Sequence, residues 1–283
     1  MFINEKEEMI VNEMVSICNN YSMGKHQYIF IYILKKGSLF QINYFYKMNG
    51  KILTPNLLNE AFEESCFDTS DENQEKMLDE LNQLLMDFIS LFSKDKINFD
   101  VRIISSEHGV TISHNFDLNF KQYMDYLYFQ NQWLEEEKYK CALENGEIKS
   151  FETELNDIQS DMIDICNEYS LELSDNIFIY INNGESFYSN HGYKIGGKCY
   201  KKENIAESGV SDEFDVREYI FDQIEDIFEN DFRKLDFLFK HFNRETPKQV
   251  FIDYDTQNSK LKIEFKYELS DNPEKIFLDF LNK

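Results

Sequence analysis

The sequence predicts an α+β protein made of two homologous domains in tandem, each an antiparallel sheet packed against helices in the order α-βββ-α-ββ-α. Two observations lead to this prediction. Residues 14–22 return as 162–170 at an offset of 148, and residues 29–33 then return without a gap as 177–181. A repeat this long indicates a duplicated domain, and 283 residues are enough for two domains.

The first element of each copy has the spacing of an amphipathic helix. Apolar residues recur three and four positions apart, which places them on one helix face. The two stripes match position by position: Ile10, Met14, Ile17, Cys18 and Tyr21, then Ile158, Met162, Ile165, Cys166 and Tyr169. Because the five cysteines include no CxxC pair and two of them share these stripes, we interpret the thiols as small apolar groups.

A three-stranded meander is predicted next. Its aromatic and β-branched runs in the first copy are residues 28–34, 39–47 and 51–54. Asn49-Gly50 between the last two runs is a strong signal for a type I′ hairpin turn. Gly196-Gly197 takes the corresponding place in the second copy, where glycine supplies the positive φ that a tight turn needs.

A long helix, a hairpin and a closing helix complete each copy. The long helix is predicted from near Asp68 to about Phe92, and from near Asp215 to about Phe242. Alternation in the hairpins suggests strands with one wet face, so we expect the helices on one face of each sheet. The hairpins and closing helices cover residues 99–118 and 120–139, then 249–269 and 273–281. The predicted domains are therefore 1–139 and 153–283, with a linker over 140–152.

The charge balance limits the classes of partner. Asp and Glu outnumber Lys and Arg by 53 to 29, which gives a net charge of -24. This charge repels phosphate backbones, so we expect no direct nucleic-acid binding and attraction to basic protein surfaces instead. The alternative is that the acidic balance serves solubility alone. No run approaches the roughly 18 to 20 apolar residues of a membrane span, and the start is acidic, so we expect a cytoplasmic protein without membrane contact.

Four carboxylates recur on the long helices at a constant offset of 147. We predict that they lie away from the apolar stripe and form a docking strip for a basic partner, because like charges three and four residues apart disfavour the isolated helix. The alternative is the ordinary hydrated side of a helix, with acids near its N-terminus favoured by the macrodipole. The matched residues are Asp68, Asp71, Glu75 and Asp79, then Asp215, Glu218, Asp222 and Asp226.

Tyrosines are the other candidates for partner contact. Tyr44, Tyr46, Tyr188 and Tyr193 could line an exposed sheet face beside the acids, a composition that suits protein recognition. Motifs for catalysis, phosphate binding or metal binding are missing: there is no GxSxG, GxxxxGK[ST], GxGxxG, HExxH or calcium loop. None of the five histidines recurs at matching positions. We therefore predict a protein that is not an enzyme and has no cofactor and no metal.

Several segments of the second copy resemble the YezG-like antitoxin family. The first copy is similar but weaker, with residues 133–139 like the closing aromatic and acidic helix of that family; it has no counterpart of Thr246-Pro247 or Tyr254-Asp255. The segments that carry the resemblance are Ile165-Cys-Asn-Glu-Tyr-Ser170, residues 177–180, Tyr193-Lys194, residues 246–255 and residues 260–268.

The resemblance implies an immunity role. Such proteins are cytoplasmic antitoxins of LXG-type and related toxins of type VII secretion, several of which carry nuclease domains. The cognate toxin would be the partner, and the family carries no catalytic residues to transfer. Two alternatives remain open from the residues themselves. One is an enzyme whose clustered carboxylates hold a divalent ion, and the other is a structural module whose copies associate with each other.

Overall fold

Each copy of the repeat forms its own five-stranded antiparallel sheet, which confirms the α+β class. The computed structural model describes residues 2–62, 66–92, 98–116, 127–184 and 186–282. Contacts divide the chain into two compact units, with the division between Asn145 and Gly146.

The first unit contains three helices and five strands among its described residues. A 3-10 segment, Pro55–Ala61, which we did not predict, follows the meander. The elements are α1 (Glu5–Tyr21), β1 (Tyr28–Lys36), β2 (Leu39–Met48), β3 (Lys51–Leu53), α2 (Asp71–Ile89), β4 (Asn98–Ser106), β5 (Gly109–Phe116) and α3 (Tyr128–Glu144).

The second unit repeats this order. Its own unpredicted 3-10 segment, Lys202–Ser208, stands at the same point of the chain as that of the first unit. The elements are α4 (Phe151–Tyr169), β6 (Asn176–Asn183), β7 (Phe187–Ile195), β8 (Lys198–Lys201), α5 (Glu218–His241), β9 (Gln249–Asp255), β10 (Lys260–Lys266) and α6 (Pro273–Leu281).

The strand that opens each meander lies at the centre of its sheet. The orders are β3-β2-β1-β4-β5 and β10-β9-β6-β7-β8, with every neighbouring pair antiparallel. Ile179 faces His191 on one side and Ile252 on the other. A central strand that has a neighbour on each side and is covered on both faces favours a continuous apolar run. This explains why residues 29–33 of β1 and 177–181 of β6 match so closely between the copies.

The turn chemistry follows the prediction. Asn49 and Gly50 have φ values of 47° and 74°, and Gly196 and Gly197 have values of 57° and 79°. Two successive residues with positive φ are what a type I′ turn requires, and its twist matches that of the flanking strands.

Helices cover both faces of each sheet, so the expectation of one covered face was wrong. In the first unit, Ile31 and Tyr46 pack in the core formed with α1 and α2. Phe30 and Phe45, with alternate orientation, pack with Trp133 of α3 on the other face. In the second unit, the helices α4 and α5 cover one face, while α6 covers the other through Phe277.

About half of the linker predicted over 140–152 is helical. The helix α3 continues to Glu144 and buries Cys141 and Leu143, while α4 already begins at Phe151. The predicted start of the first closing helix, Phe120, lies outside the described residues. The helix α3 extends this far because its last turns still have apolar side chains to bury.

Replacing Gly192 with alanine should destabilise the second unit by about 1–3 kcal/mol. A Cβ atom at this position of β7 would lie 2.8 Å from the Tyr200 carbonyl oxygen and 2.8 Å from Leu281 Cδ1. Because the first of these atoms belongs to a paired strand, the sheet or α6 must shift. Urea unfolding followed by circular dichroism measures the change. Gly184→Ala is the control, since its Cβ would meet nothing closer than 3.5 Å; equal losses in both variants would contradict the steric argument.

Candidate functional site

The N-terminal half of α2 carries an exposed strip of carboxylates. Asp71, Glu75 and Asp79 follow one another at intervals of four residues, which aligns them along one side of the helix over about 12 Å. All three are exposed, whereas the opposite side buries Met77 and Leu81. We call the exposed acids Asp68, Asp71, Glu72, Glu75, Asp79 and Glu80 the α2 strip.

The start of α2 is held by local hydrogen bonds. The Ser70 side chain accepts from the Asn73 backbone N–H, a normal N-cap arrangement. Asp68 lies just before the helix, and its carboxylate accepts from the Ser70 N–H at 3.1 Å. This hydrogen bonding lowers the pKa of Asp68, so its charge persists at neutral pH. The helix therefore begins at Asp71, three residues later than predicted.

The α2 strip has little internal neutralisation. Lys76 is the single basic residue between Asp68 and Glu80. Within the described part of the chain, neither Lys76 nor any carboxylate of the strip forms a salt bridge. Repulsion between like charges on adjacent turns is a few tenths of a kcal/mol per pair, and a cationic surface laid along the helix would relieve it.

The corresponding acids of the second unit do not form an exposed strip, so the prediction of two equivalent strips was wrong. Asp226 is buried and Asp222 is half-buried, which leaves Glu218 as the exposed member on α5. Asp215 lies before α5 and makes a salt bridge with Arg217, whose Nε donates at 2.7 Å. The covered side of α5 is wider than that of α2, since α5 buries nine residues and α2 buries four, and acids at the margins of α5 are covered.

Most other carboxylates of α5 are paired with cations. Glu225 accepts from Lys202 at 2.6 Å, Glu229 from Arg233 at 2.6 Å, and Asp236 from Lys240 at 2.6 Å. The two long helices therefore have similar sequence patterns and different electrostatics. An exposed, unneutralised anionic surface is present on α2 and not on α5.

The predicted tyrosines are not part of an exposed surface near the acids. Tyr44, Tyr46 and Tyr193 are buried against the helices, and burial raises the pKa of each hydroxyl. Tyr193 is therefore unavailable to a partner, contrary to prediction. Tyr188 is half-buried on the opposite face of its sheet, near Tyr180 and α6, and so it is separated by the sheet from α5.

Each unit has a groove between its first two α-helices. In the first unit it lies between α1 and α2, has a volume of about 370 Å³, and includes Asp68 and Glu80 of the α2 strip. Tyr21 also lines it, and burial together with nearby Asp68 raises the pKa of this tyrosine to about 12. The groove places apolar and amide groups directly beside the strip; they include Ile17, Met23, Met77, Asn20 and Asn73.

The second groove, between α4 and α5, also has a volume of about 370 Å³. Ile165 and Glu168 line it at the positions of Ile17 and Asn20 in the first unit. Our sequence interpretation did not assign the residues of this groove to a binding site. The spacing of Asp161, Asp164 and Glu168 on one face of α4 could have suggested them, whereas Asp231 stands among other polar residues of α5, Glu229, Asn230, Arg233 and Lys234, and gave no such signal.

Three further observations bear on the class of function. Among residues 2–62, 66–92, 98–116, 127–184 and 186–282, no group of three or more His, Cys, Asp or Glu is placed to hold a metal ion. No helix in these ranges is long and apolar enough to cross a membrane. No known protein family matches the chain, and no curated protein is significantly similar to it.

Proposed function

We propose that the protein is a cytoplasmic immunity protein that binds a cognate secreted toxin in a stoichiometric complex and blocks it. The observation that carries this proposal is the α2 strip, which is exposed and unneutralised among the described residues. A toxin domain that acts on nucleic acid presents Lys and Arg around its phosphate-binding cleft. An acidic helix can occupy such a cleft in place of the substrate.

The proposal assigns the contact to the first unit. The α2 strip presents six carboxylates, five on the helix and Asp68 just before it, with Lys76 as the single lysine between them. The adjacent groove offers apolar surface for the alkyl portions of basic side chains. Of the acids on the equivalent helix α5, Glu218 is exposed and the others are buried, half-buried or paired with cations. The toxin is expected to be the product of a neighbouring gene, and a pull-down with that product identifies it.

Reversing three charges of the α2 strip should slow association with the toxin by about 10- to 100-fold at low salt. The variant is Asp71→Lys, Glu75→Lys and Asp79→Lys, which turns an attractive surface into a repulsive one. Stopped-flow mixing at two ionic strengths gives the rate constants. Rates should converge at high salt, because screening removes the long-range field.

The matched control reverses three exposed acids of the second unit, Asp212→Lys, Glu213→Lys and Asp271→Lys, so that the net charge changes equally. This control should keep most of the wild-type rate. If both variants associate at the same rate, or if the α2 variant keeps the wild-type rate and affinity, docking through the α2 strip is rejected.

A further inference from the structure

The groove between α4 and α5 is an acidic socket with one cation of its own. Three carboxylates of α4 line it, Asp161, Asp164 and Glu168, at intervals of three and four residues along one helix face. Asp231 of α5 adds a fourth carboxylate from the other side, and Lys234 is the one basic group among the described lining residues. Charge within the socket is therefore far from balanced.

Asp231 is the least hydrated of these carboxylates. Its exposed fraction is 2%, and one oxygen, Oδ1, accepts from Lys234 Nζ at 2.8 Å. The second oxygen, Oδ2, is buried and has no hydrogen-bond partner. Burial raises the pKa of Asp231, against the effect of Lys234, because an ionised carboxylate with an unsatisfied oxygen is unfavourable away from water.

We propose that this socket receives an arginine side chain of the partner protein. A guanidinium group carries five N–H donors in a planar fork, so it can bridge the exposed rim carboxylates of Asp164 and Glu168. It can also satisfy Asp231 Oδ2 once the Asp231 side chain turns that buried oxygen toward the groove. Ile165 and Ile227 line the same groove and give the alkyl portion of the side chain an apolar contact. The inference rests on the proposed function, to which it adds a second contact in the second unit.

The first unit provides an internal comparison. At the positions of Asp164, Glu168 and Asp231 it has Ser16, Asn20 and Leu84. The groove between α1 and α2 has the same volume, about 370 Å³, and α2 contributes no buried carboxylate to it. The socket is therefore specific to the second unit. The groove between α1 and α2 serves as an internal control for any general preference of such grooves for cations.

The test uses the full chain and small probes, without the toxin. N-acetyl-arginine methylamide should cause saturable amide shifts in α4 and α5 in two-dimensional NMR spectra, and the citrulline analogue, which replaces the guanidinium by a neutral urea of the same shape, should cause none. Asp231→Asn should weaken binding about tenfold. Glu168→Gln, an exposed rim change that spares the interior, should weaken it about threefold.

Three results would overturn the inference. They are equal shifts with the citrulline probe, equal shifts from MgCl₂ at the same ionic strength, and full affinity in both variants. Because no toxin is present, the outcome is separable from that of the charge-reversal experiment. Arginine binding at Asp231 together with unchanged toxin association in the α2 variant would reject docking through α2 and keep the socket.

Discussion

Replacing Trp133 with alanine is expected to remove about 3–5 kcal/mol from the free energy of unfolding of the first unit. The indole is 2% exposed and is the centre of the contact between α3 and the sheet. Its ring lies 5.1 Å from that of Phe45 and 5.6 Å from that of Phe30, both in edge-to-face geometry. The Arg102 guanidinium lies 5.4 Å from the same ring. Truncation removes all these contacts and leaves a cavity beneath α3.

Trp133→Phe is the matched control. It keeps an aromatic ring against Phe45 and should lose less than half as much stability as the alanine variant. Urea unfolding by circular dichroism measures both changes, and hydrogen exchange of peptides from β1 and β2 assigns them to the first unit. A loss below about 1 kcal/mol for the alanine variant would show that α3 contributes little to the stability of this sheet.

The repeat made most of this architecture predictable from the sequence. Matched apolar stripes and runs indicated the same element order in both copies, and Asn49-Gly50 indicated a turn that the φ values confirm. The outcome for the tyrosines shows the limit. Alternation along β2 correctly separates Tyr44 and Tyr46 from Phe45, but it does not state which face is wet. Here α3 covers the second face, and that helix comes from about 90 residues further along the chain.

The burial of acids on α5 could not be predicted for a related reason. A carboxylate on an amphipathic helix is normally assigned to the hydrated side. The buried side of α5 is wide enough to include Asp226 and Asp231 beside Phe228 and Phe232, because the helix packs on α4 as well as on the sheet. The salt bridge between Glu225 and Lys202 depends on the 3-10 segment that precedes α5, because that segment contains Lys202. The apolar pattern of the sequence did not indicate this segment.

Acidification from about pH 6.5 to pH 5 is expected to lower the free energy of unfolding of the second unit by about 2 kcal/mol through His191. The side chain is fully buried, and neither ring nitrogen has a hydrogen-bond partner. Its ring neighbours are Tyr169, Tyr193 and Phe228, at 5.9, 5.6 and 5.7 Å. Burial, followed by the nearby charge of Lys202, holds the pKa of His191 well below its usual value.

The sign of this effect follows from proton binding in the two states. In the folded chain the imidazole stays neutral, while in the unfolded chain it takes up a proton below its ordinary pKa of about 6.5. The unfolded state is therefore stabilised relative to the folded state by about 1.4 kcal/mol for each further pH unit of acidification, until the pH reaches the depressed pKa of the folded state. Above about pH 7 both states are neutral at this position, and His191 contributes no pH dependence.

His191→Phe keeps a buried ring and removes the titration, and the first unit already has an aromatic residue, Tyr44, at the matching position. In this variant the free energy of unfolding should no longer fall on acidification through residue 191. The measurement is the difference in the free energy of unfolding between pH 7 and pH 5. Asp231 acts in the opposite direction, since its raised pKa favours the folded state as the pH falls, but it is present in both proteins and cancels. The exposed His241→Gln gives the control, with a wild-type slope. Parallel slopes in wild type and His191→Phe would mean that the imidazole gains a proton without unfolding the sheet, and that its burial is relieved by local opening.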